Sequence, residues 1–66
     1  MIVRRHHLDE MQPSYCAKGA RRWCARIGID WAAFVRDGID AEVLEATGDA
    51  MALKLVEYVR GQHGQQ

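Results

Sequence analysis

One tripeptide recurs at ten-residue spacing: Gly28-Ile29-Asp30 returns as Gly38-Ile39-Asp40, and a shortened form, Gly48-Asp49, closes the series. Each copy has the chemistry of a helix junction. Glycine ends a helix in the left-handed region, which a Cβ penalises. The isoleucine behind it folds back onto the turn just completed. Aspartate then offers a side-chain oxygen to the unpaired N–H groups that open the next helix. A chain marked this way builds short helices that turn at set points. The expected fold class is therefore all-α, a compact bundle of about four short helices joined by Gly-Ile-Asp junctions.

The marks divide the chain into helices over about 15–27, 31–37, 41–47 and 50–61. Pro13-Ser14 precedes the first as a turn. Residues 1–12 read as a basic, partly mobile segment, with at most a turn from Leu8 to Met11. Residues 13–61 form the helical domain. Residues 62–66 hold no apolar side chain and read as a disordered tail.

A chain of 66 residues buries only about 60% of the surface its unfolded form exposes. Folds this small lean on disulfides, a metal or a partner. The two cysteines, Cys16 and Cys24, lie eight residues apart on one helix. That separation is about 12 Å, against the roughly 7 Å a disulfide tolerates. Both read as free, apolar core thiols, which suits a reducing cytosol. His6, His7, Cys16, Cys24 and His63 lack the close pairing of zinc ligands, so no metal is expected. No nucleophile motif or phosphate loop is present, and the acids fall at caps and wet helix faces. The reading is non-enzymatic, with no catalytic residue and no cofactor. A leading apolar region and a membrane-length apolar run are both missing, so the expected location is the cytoplasm, with no membrane partner.

A partner remains. In the first helix Cys16, Ala20, Trp23, Cys24 and Ile27 share an arc of about 100°, and Lys18, Arg21, Arg22 and Arg26 oppose them. In the last, Met51, Ala52, Leu53, Leu55, Val56, Tyr58 and Val59 spread over more than half the circumference. A helix that apolar is either central to the fold or partly covered by another chain; on the second reading Met51, Leu53, Val56 and Tyr58 are the candidate contact surface. Residues 1–27 carry +4 and residues 28–66 carry −4, which offers a head-to-tail arrangement of two copies.

Nucleic acid is the alternative partner. Ala20 to Ile39 overlays a helix–turn–helix with Gly28 at the turn. The basic face of Lys18, Arg21, Arg22 and Arg26 would then meet phosphate. The would-be recognition helix, Trp31 to Asp37, offers only Arg36, and the net charge is zero.

From Tyr15 onward the string Tyr15-Cys16, Gly19-Ala20-Arg21, Trp23, Gly28-Ile29-Asp30-Trp31, Phe34-Val35, Gly38-Ile39, Ala41-Glu42, Leu44, Ala46-Thr47-Gly48-Asp49-Ala50 and Val56-Glu57 resembles a set of short uncharacterised proteins of bacteriophages and prophages. The resemblance spans about two-thirds of the chain and omits its start. It implies a phage accessory protein from the neighbourhood of head and tail assembly genes, at work in the host cell or on the virion. It brings no catalytic residue with it. The combined expectation is action through protein–protein contact, by self-association or within a larger phage assembly.

Overall fold

The structure, a computed structural model, describes residues 1–11 and 17–63. Among these, β1 (Ile2–Val3) leads to α1 (Arg5–Met11), α2 (Ala17–Ile27) and α3 (Trp31–Asp37). Then come β2 (Ile39–Asp40), α4 (Ala41–Ala46) and α5 (Ala50–His63). The protein is mostly helical, as the punctuation implies, but all-α is not the whole description. β1 and β2 pair antiparallel, Ile2 opposite Asp40 and Val3 opposite Ile39. The junction residues between α3 and α4 thus also form a strand.

Each glycine mark has positive φ: 82° at Gly28, 78° at Gly38 and 70° at Gly48. Gly28 closes α2 with a paired motif, its own N–H reaching the Ala25 carbonyl and the Ile29 N–H reaching that of Cys24. Gly38 differs. Its ψ of −177° takes it out of the left-handed helical well into a region that essentially only glycine enters. Asp30 and Asp40 cap as expected, accepting from the N–H groups of Ala32 and Glu42 at 3.1 and 2.9 Å.

The start of the chain departs most from expectation. In place of a mobile segment there are a strand and a seven-residue helix. At the start of α1 the His7 N–H donates to the Arg4 carbonyl at 3.0 Å, a backbone turn bond, and the Arg4 N–H donates to His7 Nδ1 at 2.9 Å. The second bond is one half of a capping box, with imidazole in the place of the usual glutamate. Leu8 and Val3 are fully buried, and α1 packs on α5.

The other end differs too. α5 runs through Gly61 to His63, so Gln62 and His63 belong to the helix rather than to a tail. Gln62 is held there by bonds from its amide to Glu10 and to Tyr58 Oη. Residues 64–66, the remainder of the expected tail, lie outside the described residues, as do Pro13-Ser14, Tyr15 and Cys16. One core joins Val3, Leu8, Trp23, Phe34, Leu44, Leu55, Val56 and Val59.

Candidate functional site

Among the described residues there is no pocket, and no three His, Cys, Asp or Glu side chains gather where they could hold an ion. Four surfaces can be built up residue by residue.

The expected contact surface on α5 needs correction. Ala52, Leu55, Val56 and Val59 face inward between α4 and α1, and Val56 is 2% exposed. It is core. Met51 and Tyr58 are half-buried against that core, and Tyr58 Oη donates to Glu10 at 3.0 Å. Of the proposed set only Leu53 stands out, at 44% exposure. The wide apolar arc is real; the chain's own α1 covers the side that seemed to need a partner.

Large exposed apolar side chains occur elsewhere. Met1, Ile2, Val35 and Val43 are 39–48% exposed, like Leu53. Met1 and Ile2 lie at β1, where the Met1 carbonyl accepts the Ala41 N–H at 2.9 Å. Val35 stands on the last turn of α3 and Val43 on α4, the helices that run into and out of β2. These four cluster along the chain around the ribbon. Their sequence signal was weak: Val35 and Val43 read as ordinary apolar residues on short helices, and Met1 and Ile2 fall in the basic opening segment.

The basic face of α2 is present. Lys18, Arg21, Arg22 and Arg26 are all exposed. Arg26 lies 3.6 Å from Asp49, while Lys18, Arg21 and Arg22 have no carboxylate partner among the described residues. On α3, the helix that would read bases, Arg36 is tied to Asp37 at 2.9 Å, and Ala32 and Val35 are its exposed companions.

Asp49 does more than cap. Its carboxylate accepts from the Trp23 indole at 2.8 Å and from the Ala52 N–H at 3.0 Å. Those two bonds, the indole first, hold the carboxyl below its ordinary value against the opposing effect of burial. α2 is thereby fastened to the start of α5. Beneath it, burial pushes the free Cys24 thiol up to about 11, which keeps it protonated and unreactive.

The fourth surface, at α1, escaped the sequence reading. Arg5 stacks 5.3 Å over the Trp31 ring and pairs with Asp9. Glu10 is held below its ordinary value by the Gln62 amide and then the Tyr58 hydroxyl. The available signal was the spacing of His7, Leu8 and Met11, which follows a helical period and lines the inward side of α1.

No helix of the described residues is long and apolar enough to cross a membrane. No protein-family model matches the chain, and neither a curated protein nor a solved structure matches it.

Proposed function

We propose that this protein is a small, non-enzymatic accessory protein of a bacteriophage or prophage, acting through protein–protein contact in virion assembly. The observation that supports contact is the exposure, at 39–48%, of Met1, Ile2, Val35, Val43 and Leu53 on so small a body. Burying such side chains against a partner is favourable by roughly 25 cal/mol per Å². The resemblance of residues from Tyr15 onward supports the phage setting. The contact surface is therefore moved from the buried face of α5 to the region around the ribbon, with Leu53 separate from it.

The test is light scattering over a concentration series, together with pairwise binding to proteins encoded beside its own gene. Val35→Glu and Val43→Glu change exposed positions around the ribbon, so helical circular dichroism should persist while association weakens. A chain that stays monomeric at every concentration and binds none of those neighbours would sink the reading.

One observation favours a second reading. Among the described residues, three cations on α2, Lys18, Arg21 and Arg22, have no carboxylate to neutralise them, which suits contact with nucleic-acid phosphate. The occupied Arg36 on α3 weighs against base recognition. Duplex binding that falls steeply with salt and vanishes when Lys18, Arg21 and Arg22 become alanine would promote this reading.

A further inference from the structure

We propose that His7 makes the docking of the N-terminal segment sensitive to pH: the neutral imidazole fastens β1 and α1 to the helical body, and its protonation releases them. The inference begins with a donor whose identity is certain. A backbone N–H can only donate, so the 2.9 Å contact from Arg4 N to His7 Nδ1 requires a lone pair on that nitrogen. An imidazolium carries protons on both nitrogens and has none to offer. In an ordinary capping box the same position holds glutamate or glutamine, which keep an acceptor oxygen in either protonation state. Here the acceptor disappears on protonation.

Burial and the cations that precede His7 oppose a second proton. His7 is 8% exposed, and a charge there is poorly hydrated. The His6 ring lies 4.1 Å from it, centroid to centroid, and Arg4 and Arg5 precede it in the chain. Glu10 pulls the other way, since it interacts with both histidines. Its carboxylate is already engaged by Tyr58 and Gln62 of α5, and its lowered value keeps it ionised through mildly acidic pH, so its pull is constant. Asp9 is paired with Arg5, and from α3 Asp37 accepts Arg4 Nη1 at its carbonyl and attracts its charge. The unfolded chain takes up the proton near the ordinary imidazole value of about 6.5. It therefore binds more protons than the folded chain as pH falls, and stability present above that value is lost below it.

What is released matters. Val3 and Leu8 leave the core, Ile39 loses its strand partner, and the side of α5 beneath α1 is uncovered.

The experiment uses the full chain, melted by circular dichroism from about pH 7.5 to about pH 5. Wild type should lose about 4–8 °C in melting temperature across that range. His7→Gln retains an acceptor at every pH and should flatten the dependence, while His6→Gln should keep it. In wild type the His7 ring nitrogen and the Arg4 amide should shift together in an NMR titration, a readout independent of any variant. A full pH drop retained in His7→Gln overturns the proposal. So does an Arg4 amide that stays still while the His7 ring titrates.

Discussion

The segments Gly28-Ile29-Asp30 and Gly38-Ile39-Asp40 are identical in sequence and share the glycine φ and the aspartate cap, yet they carry different loads. Both glycines have φ near 80°, and both aspartates cap the second N–H of the following helix. A Cβ added at Gly28 would meet nothing within 4 Å. One added at Gly38 would come 2.6 Å from Ile2 Cγ2 and 3.0 Å from the Val3 carbonyl oxygen. The Ile29 N–H returns to the helix it ends, whereas Ile39 pairs with Val3 across the ribbon. A tripeptide specifies where a helix turns. Whether another segment leans on that turn is decided by residues 35 or more positions away.

The sharpest way to break the comparison is alanine at each glycine. Gly38→Ala should cost about 3 kcal/mol, combining strain in a glycine-only region with the clash against β1. Gly28→Ala should cost only about 1 kcal/mol, the left-handed penalty alone. Equal losses in denaturant titrations would show that the ribbon bears no load.

Asp49→Ala extends the test to the third mark and should follow Gly38→Ala in size. It removes a cap and leaves the Trp23 indole without its acceptor, so its melting-temperature drop should exceed the ~4–8 °C of a lone cap. The carboxyl titrates below its ordinary value when folded, so the stabilisation is present above that value and fades as pH falls through the lowered one. Wild type should therefore be more acid-sensitive than Asp49→Asn. A variant with the same acid limb would remove the Trp23 bond from the account.

The smallest effects sharpen the contrast from the other side. Asp30→Ala and Asp40→Ala should each cost about 1 kcal/mol, and equally. Matching losses in thermal melts would place the difference between the two junctions in the ribbon rather than in the caps.

The three glycine marks and their three aspartate caps were legible because helix termination is a local matter of φ and one side-chain oxygen. α2 was legible as well, since Ala20, Trp23, Cys24 and Ile27 lie opposite Lys18, Arg21, Arg22 and Arg26. The N-terminal segment was not. The His7 ring caps the Arg4 N–H without the Ser, Thr or Asp that announces a helix start, and two-residue strands have no periodicity to detect. The same gap misplaced the contact surface. With α1 unseen, the apolar arc of α5 had nothing to cover it, and Val56 and Tyr58 were assigned to the outside. Gln62 was assigned to a tail for a related reason: its partner, Glu10, stands 52 residues away in the chain.

That distance bears on the order in which the molecule assembles. The junctions between α2 and α5 join neighbours along the chain and close short loops. Seating α1 on α5 closes one of 48 to 52 residues, judged by the bonds from Tyr58 and Gln62 to Glu10. Loop-closure entropy makes such a contact late, after the local turns are in place. Interactions absent from the transition state govern how fast a native protein comes apart rather than how fast it forms. The Glu10–Tyr58–Gln62 cluster is then a latch on the unfolding rate: loosening it shortens the lifetime of the native state while the helices still gather at their usual pace.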